Sequence, residues 1–288
     1  MQLKRLENAA EYYERVKPFL MTEEAAHCVM LGVCATLIQT DIYQFPPYLA
    51  YVEDKGEIVA AAMRTPPYNL LLSNMADESS LKIITDDVHT VYGCDLRGLV
   101  ALKALGKAFA KTWNALTGRD YELKIQERLY HLQKVNPVNP VSGEYRTATE
   151  ADREVIIQWL VDFGIEALDD RMSREEAERQ ANIRLTSDPT QRGVRVWWDK
   201  GQPVSFAGYG GVTPHGIRIG PVYTPPELRG HGYASACVAL LSQELLDSGR
   251  EFVFLLTDLS NTTSNHIYQT IGYEPVCDVD EYRFEGQS

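Results

Sequence analysis

The sequence is poor in the features that mark a secreted, membrane-spanning or metal-binding protein. Its five cysteines are scattered and never stand in a Cys-x-x-Cys pair, which indicates reduced thiols rather than a disulfide framework. The six histidines neither fall into a His-x-x-x-His spacing nor pair with cysteines, so no metal site is predicted. The most apolar stretch, AAHCVMLGVCATLI, is shorter than the about 20 residues that a membrane span needs.

Basic residues are also too few for a nucleic-acid-binding protein. The formal net charge is −12, whereas proteins that bind nucleic acid normally present a basic face. This charge is compatible with cationic or amine-bearing substrates. The first residues, MQLKRLENAAEYYERV, lack the apolar core of a signal peptide. We therefore expect a cytoplasmic protein that binds neither nucleic acid nor a membrane.

The length of 288 residues suits two domains, on the usual scale of roughly 100–200 residues for each. The clearest break is NPVNPVSGE, residues 136–144, where proline and asparagine repeat and a new pattern starts immediately afterwards. We place a boundary near residue 140 and predict a first domain over residues 1–140 and a second over 144–288.

The second half predicts alternating strands and helices in the order β-α-α-β-β-β-α-β-α-β. Thr149 with Asp152, and Ser173 with Glu176, are expected to begin the first two helices. The turn DKGQ predicts a hairpin between VRVWWD and VSFAGYGGV. The strand IRIGPVYT then leads into an amphipathic helix, and Gly272 is expected to end the short helix that follows.

The first half shows a fainter version of the same plan. Two helical segments precede a strand pair around the turn EDKGE and a further strand, NLLLSNM. A helix is predicted over RGLVALKALGKAFAKTWNALTG, and a strand over YELKIQERLYHLQKV. The two halves are interpreted as two copies of one α/β plan, alike in element order rather than in sequence.

The joint between IRIGPVYT and its helix, PPELRGHGYAS, combines two prolines, an arginine and two glycines. The first N–H groups of a helix have no internal partner and carry partial positive charge, and glycine lets a phosphate approach them closely. Arg229 adds a full positive charge at the rim. A plain glycine-rich turn with a surface arginine is the alternative. Ser235 stands where a dinucleotide fingerprint needs its third glycine, and no Gly-Lys-[Ser/Thr] of a P-loop is present.

Two segments resemble the signatures of the GCN5-related N-acetyltransferases. VYTPPELRGHGYASACVALL is similar to the acyl-CoA-binding motif of that family, [QR]-x-x-G-x-[GA]. DLSNTTSNHIYQTIGYEPV resembles its second signature, with asparagine, tyrosine and a terminal Gly-[Phe/Tyr]. The resemblance covers roughly residues 144–285. It implies two domains with mixed, mostly antiparallel sheets flanked by helices (α+β), and a splayed strand pair in the second.

The resemblance also implies where acetyl-CoA, the cosubstrate, would bind. In the family, the strand before the turn pairs with the pantetheine arm and polarises the thioester carbonyl. The matching residues here are Val222, Tyr223 and Thr224. The diphosphate would lie on the turn and the first residues of the helix, which are Arg229, Gly230, His231, Gly232, Tyr233 and Ala234, with the hydroxyl of Ser235 beside them. An ordinary central strand is the alternative interpretation of residues 222–224.

Three residues of the second motif complete the implied site. Asn261 matches the asparagine that hydrogen-bonds the pantetheine, although it could equally cap the helix. Asn265 and Tyr268 lie further along and are expected on the same helix face. Tyr268 matches the tyrosine that many members use as a general acid toward the departing thiolate. A buried packing tyrosine is the alternative.

The implied reaction is direct acetyl transfer to a primary amine of a small molecule or a peptide, without an acyl-enzyme. Cys237 is then expected to pack in the core rather than to act as a nucleophile. No motif marks the base. Glu166, Asp169 and Asp170 are weak candidates, and Asp258 is expected to be structural.

In the first half the turn is expected in TVYGCDLRGLVALKAL, where the glycines and the arginine have the wrong spacing. We interpret this half as a degenerate copy that has lost cofactor binding and either completes the acceptor pocket or forms a homodimer surface. Two other functions stay open: a non-catalytic acyl-CoA sensor, and a nucleotide-binding domain.

Overall fold

The computed structural model describes residues 1–75, 77–167 and 172–285. It divides the chain into one unit formed by Met1–Leu129 with the chain end from Val276, and a second formed by Tyr130–Pro275. This differs from the predicted ranges 1–140 and 144–288. The reason is the closing strand, whose residues Val279–Arg283 pair antiparallel with Gly98–Leu102 of the first unit. The proline-rich segment marks a break in the sequence pattern. The strand pairing at the end of the chain, however, places those last residues in the first unit.

The first unit contains β1 (Gln2–Arg5), α1 (Ala9–Leu20), α2 (Cys28–Gln39), β2 (Tyr48–Asp54), β3 (Glu57–Arg64), β4 (Leu70–Leu72), α3 (Glu78–Tyr92), β5 (Gly98–Leu102), α4 (Lys103–Thr117) and the start of β6 (Tyr121–Leu132). Its strands follow the order β1-β2-β3-β4-β5 and then the closing strand. All these pairs are antiparallel except β4 and β5, which are parallel and are connected through α3.

The predicted helix over residues 97–118 is wrong in its first turns. Residues 98–102 form β5, which lies between β4 and the closing strand, and only then does α4 begin. A short apolar run such as GLVAL fits a central strand and a buried helix equally well, so periodicity could not decide. The helix α3 was missed, although Leu81, Ile84 and Val88 recur at helical spacing and are buried.

The second unit contains the end of β6, then β7 (Glu144–Thr147), α5 (Arg153–Ala167), α6 (Arg174–Thr186), β8 (Gly193–Asp199), β9 (Gln202–Gly210), β10 (Gly216–Tyr223), α7 (Tyr233–Asp247), β11 (Phe252–Asp258), α8 (Thr262–Ile271) and the first residues of β12 (Glu274–Phe284). The predicted element order is confirmed. The strands lie in the order β6-β11-β10-β9-β8-β7, with β10 and β11 parallel and β7 to β10 antiparallel.

The predicted helix caps and the predicted hairpin turn of the second unit are present in the structure. Thr149 and Asp152 form a reciprocal capping box, and the Ser173 side chain accepts the Glu176 N–H at 3.2 Å. The hairpin between β8 and β9 turns at Lys200–Gly201, both with positive φ. These predictions are confirmed because each depends on a few adjacent residues.

Helices cover both faces of the second sheet. On one face, α7 and α8 pack in a core that includes Ala207, Tyr209 and Val238. On the other, α5 and α6 pack against a core that includes Phe206 and Tyr223. We call these the α7 face and the α6 face. Because side chains alternate along a strand, neighbouring residues of β9 and β10 point to opposite faces.

The parallel strands β10 and β11 separate early. Their register joins only Gly216–Arg218 to Phe252–Phe254, with no further pair among the described residues. The register of β10 against β9 also shifts between Ile219 and Val222. The last residues of β10 are therefore not paired with β11, which agrees with the splayed strand pair that the family resemblance implies.

In the first unit, we expect the free energy of unfolding to fall as the pH drops below about 6.5 because of His27. This side chain is 3% exposed, its Nδ1 donates to the Leu20 carbonyl at 2.8 Å, and its Nε2 accepts the Asn74 N–H at 2.9 Å. Burial lowers the pKa of His27, so the neutral ring is favoured in the folded state. The unfolded chain then binds the extra proton, and stability is full above about pH 6.5 and is lost below it.

Denaturant unfolding of the wild type and of His27→Gln between pH 8 and pH 5 measures this effect. His27→Gln should have lower stability at pH 8 but a weaker decline toward pH 5. His266→Gln, which changes an exposed histidine of α8, should decline like the wild type. Parallel declines in wild type and His27→Gln would show that His27 does not carry the pH dependence.

Candidate functional site

The start of α7 presents backbone N–H groups that no side chain caps. Gly230 and Gly232 have φ values of +80° and +82°, a left-handed conformation that favours glycine. The first backbone bond of the helix runs from the Ala236 N–H to the Gly232 carbonyl at 3.0 Å. The N–H groups of Tyr233, Ala234 and Ser235 precede that bond. They are therefore directed toward whatever lies beyond the helix end, and an anion fits there.

The side chains of this turn hold its shape. The Tyr233 hydroxyl donates to Asp199 at 2.6 Å, and the Tyr233 ring is buried. His231 is exposed and stacks on the Tyr233 ring with 5.4 Å between centroids. A Cβ added to Gly230 would meet no atom within 4 Å, so this side of the turn is open.

Arg229 is paired in this structure. Its Nε donates to the Thr224 carbonyl at 2.9 Å and its guanidinium contacts a carboxylate oxygen of Glu166 at 2.5 Å. The other Glu166 oxygen accepts the Tyr223 hydroxyl at 2.6 Å. Burial pushes the pKa of Glu166 up, but these two hydrogen bonds outweigh it and the pKa lies below its usual range. Glu166 thus connects α5 to the end of β10 and to the turn.

Glu166 was considered in the sequence only as a weak base candidate. Both oxygens of its carboxylate instead accept hydrogen bonds, from Tyr223 and from Arg229. No local sequence pattern indicates these two contacts. The other two candidates, Asp169 and Asp170, lie outside the described residues.

A second unpredicted contact fixes the end of β10. The Ser205 hydroxyl donates to the Tyr223 carbonyl at 3.1 Å and accepts the Thr224 hydroxyl at 2.8 Å. Val222, the first of the three predicted strand residues, is half-buried and lies opposite Ala207 of β9. The segment 222–224 is thereby held by β9 on the side away from β11.

The two asparagines of the second motif differ in how many of their side-chain donors and acceptors form hydrogen bonds within the protein. Asn261 accepts the Ser264 N–H at 3.0 Å with its side-chain oxygen and so caps α8, while its amide nitrogen has no recorded partner among the described residues. Asn265 donates to the carbonyls of Asp258 and Asn261, both at 2.8 Å, and accepts the Tyr130 hydroxyl at 2.8 Å. Asn261 is therefore the one with a free donor.

Tyr268 has a hydroxyl that the fold leaves unused. The side chain is 9% exposed, and burial raises its pKa to about 12. No hydrogen bond to this hydroxyl is recorded within the described residues, whereas each of the other tyrosine hydroxyls of the second unit has a partner. Those are Tyr130, Tyr145, Tyr209, Tyr223, Tyr233 and Tyr273. Tyr268 shares the core on the α7 face with Tyr233 and Ala236.

The described residues do not favour a cysteine nucleophile or a metal site here. Cys237 is fully buried, and burial raises the pKa of its thiol to about 12, so it packs in the core as expected. Within residues 1–75, 77–167 and 172–285, no three histidine, cysteine, aspartate or glutamate side chains converge to hold a metal. None of the described helices is both long and apolar enough to cross a membrane.

One protein family matches the part of the chain that contains these residues. Residues 153–273 match the acetyltransferase (GNAT) family, so the match includes the uncapped start of α7, the splayed end of β10 and α8. No curated protein sequence matches the chain at a significant level.

Solved structures share the fold over nearly the whole chain. A Drosophila protein is 11% identical with a TM-score of 0.68, each chain being covered to 99%. A GCN5-related N-acetyltransferase from Sphaerobacter thermophilus is 16% identical with a TM-score of 0.62, covering 98% of this chain and 94% of its own. A tandem GNAT protein from the clavulanic acid biosynthesis pathway is 13% identical with a TM-score of 0.58, and both chains are covered completely. At these identities the likeness concerns the fold alone.

Proposed function

Because this chain belongs, through residues 153–273, to the acetyltransferase (GNAT) family, we propose that it transfers an acetyl group from acetyl-CoA to a primary amine of a small molecule or a peptide. The observation that carries the proposal is the uncapped start of α7 directly after the strand that leaves its parallel neighbour. Family membership supports acyl transfer in general. The choice of amine and a cytoplasmic location are part of the proposal.

The residues of this site have the chemistry to hold acetyl-CoA. The N–H groups from Gly230 to Ser235 would hold the diphosphate, because a helix start with two left-handed glycines accepts an anion closely. The Arg229 N–H, which the resemblance includes, donates instead to the Pro226 carbonyl at 3.3 Å. Residues 222–224 would pair with the pantetheine arm along the side of β10 that faces away from β9. The free amide nitrogen of Asn261 would donate to a pantetheine carbonyl, while its oxygen caps α8.

The cosubstrate supplies the acetyl group as a thioester, so that a C–N bond forms, a C–S bond breaks, the amine gives up a proton and the sulfur gains one. Tyr268 would donate that proton. With a pKa of about 12 its hydroxyl stays protonated at neutral pH, and the donor is not occupied by another bond. The thiol that forms has a pKa near 8.5, so the phenol shares its proton with the sulfur as negative charge builds there. The phenol then regains a proton from the solvent, which takes up the one that the amine releases.

Glu166 has a role of positioning in this account. By accepting from Arg229 and Tyr223 it keeps the cation of the turn beside the end of β10. Arg229 remains about half exposed, so it can still approach a phosphate from the rim.

The first unit is proposed to bind no CoA. The helix that follows its own parallel strand is α3, and Asp77 caps that helix by accepting the Ser79 N–H at 2.8 Å. A carboxylate at this place occupies the helix start and repels a phosphate. The lost turn was expected in TVYGCDLRGLVALKAL, but that segment begins in the last turn of α3 and continues beyond it, instead of preceding α3. Because Asp77 caps α3, the first unit is proposed to be a degenerate copy that has lost cofactor binding.

Release of free thiol from acetyl-CoA in the presence of a panel of amines tests the function. We expect release that depends on amine, with acetylated amine as the product. A protein that binds CoA but releases no more thiol with any amine than without would be the acyl-CoA sensor, and the transfer reaction would be rejected. Tighter binding of ATP or NAD than of CoA would reject both.

A further inference from the structure

Arg218 of the second unit has no hydrogen-bond partner among the described residues. Arg218 lies on β10 at the last position that pairs with β11, so it marks the point where the two strands separate. It is half-buried, and its Nη1 is shielded from solvent without any hydrogen bond. A buried donor without an acceptor is unfavourable, and for a charged group more so, so an anion that accepted from this guanidinium would be bound favourably.

Arg218 projects from the α6 face. It lies opposite Gly210 of β9, and cross-strand partners share a face. Gly210 is four residues from Phe206, which packs against α5 and α6, so the alternation of side chains assigns all three to the same side. The α7 face, with Tyr268, is the opposite one.

Two further arginines lie over the same glycine-rich surface. A Cβ added to Gly208 would come within 3.3 Å of Arg184 Nε, and one on Gly210 within 3.0 Å of Arg192 Nε. A Cβ on Gly211 would come within 3.4 Å of Arg218 Nη2. The missing side chains leave room for three guanidinium groups against the sheet. Three like charges on one surface favour an anion there, although the chain as a whole is acidic.

We propose that Arg218 binds an anionic group, a carboxylate or a phosphate, on the amine that accepts the acetyl group. Val222 lies four residues further along β10, but the β9 partners of the two residues, Gly210 and Ala207, are only three residues apart, which corresponds to about 10 Å at roughly 3.3 Å per residue. The amine would meet the thioester at the end of β10 while its anionic group rests on Arg218, with Arg184 and Arg192 adding positive charge nearby. This proposal rests on the function proposed above, and it adds a substrate class to it.

The test compares matched amines. γ-Aminobutyrate and ε-aminocaproate are each assayed against the n-alkylamine of equal length, and phosphoethanolamine against ethanolamine. The wild type should prefer the anionic member of at least one pair, and the carboxylate and phosphate pairs show which group is recognised. In Arg218→Met, kcat/KM for that anionic amine should fall roughly 10–100-fold, while its value for the neutral partner stays near wild type.

Arg250→Met is the matched control, because Arg250 is also half-buried in this unit but donates to the Thr190 carbonyl. It should keep the wild-type preference. The melting temperature separates binding from folding: removing an unpaired guanidinium should leave the Tm of Arg218→Met at or above that of the wild type, whereas loss of a structural arginine lowers it. Equal treatment of anionic and neutral amines by the wild type, or a preference retained in Arg218→Met, would overturn the proposal.

A second experiment tests anion binding without requiring acetyl transfer. The Tm of each protein is measured with added acetate or phosphate, against chloride at equal ionic strength. Phosphate bound at the start of α7 contributes equally to both proteins, so a larger rise in the wild type than in Arg218→Met reports the arginine site alone. Equal rises would remove the anion site even if acetyl transfer is found. A larger rise in the wild type would support the site even if transfer is not.

Discussion

Tyr268→Phe is expected to lower kcat about 10²–10⁴-fold with little change in the KM for acetyl-CoA, as removal of a general acid does. The hydroxyl has no recorded hydrogen bond among the described residues, so its removal breaks none in the fold. The melting temperature should therefore stay near that of the wild type. The rate is measured with the best amine of the panel at several pH values.

Tyr273→Phe provides the matched control. Tyr273 is buried in the same core, its ring lies 5.9 Å from that of Tyr268, and its hydroxyl is bonded to Ser242 at 2.8 Å. Its loss should lower the free energy of unfolding by about 0.5–1.5 kcal/mol and leave kcat largely unchanged. The two substitutions are thus expected to separate rate from stability.

An unchanged kcat in Tyr268→Phe would reject the acid role when the chemical step limits turnover. A pre-steady-state burst of free CoA identifies the case in which product release limits it. In that case the burst rate takes the place of kcat in the comparison. A burst rate equal to that of the wild type would reject the role in the same way.

Gly232→Val is expected to weaken CoA binding about 100-fold or more, as the loss of two charge-assisted hydrogen bonds would. Gly232 has a φ of +82°, and a Cβ there would lie 3.0 Å from a methyl carbon of Val141. A branched side chain would push the turn out of its left-handed conformation. The first N–H groups of α7 would then no longer point to one place.

The same helix offers a control for backbone strain. Gly249 follows the other end of α7, has a φ of +96°, and a Cβ there would meet no atom within 4 Å. Gly249→Val carries a comparable conformational cost, of order 1–3 kcal/mol, away from the turn. It should bind CoA like the wild type. Similar losses of affinity in both variants would mean that strain in α7, and not the turn, explains the effect.

The second unit could be predicted from sequence because its signals are local. The capping box at Thr149 and the turn at Gly201 need only adjacent residues, and the motif around Gly230 and Gly232 lies in one continuous segment. The start of α7 therefore has the form that was expected. The family match over residues 153–273 agrees with that reading.

What the sequence missed depends on contacts between distant residues. Glu166 meets Arg229 across 63 positions, and Ser205 meets Thr224 across 19. The Nη1 of Arg218 lacks a hydrogen-bond partner because the packing of distant segments brings no acceptor near it. No local pattern encodes such pairs, since each depends on how helices and strands pack.

The first unit shows the same limit in its secondary structure. β5 was assigned to a helix because a five-residue apolar run has no distinguishing period, and only its two neighbouring strands make it a strand. With β5 misplaced, the helix α3 and its Asp77 cap were not recognised. The turn corresponding to Gly230–Gly232 was consequently sought on the wrong side of α3.

The central claim is that CoA binds at the start of α7 and nowhere else in the chain. A calorimetric titration of the full-length wild type with CoA tests it most directly. One site per chain is expected, because the start of α7 is uncapped and the start of α3 carries Asp77. No binding, or two sites of comparable affinity, would contradict the account.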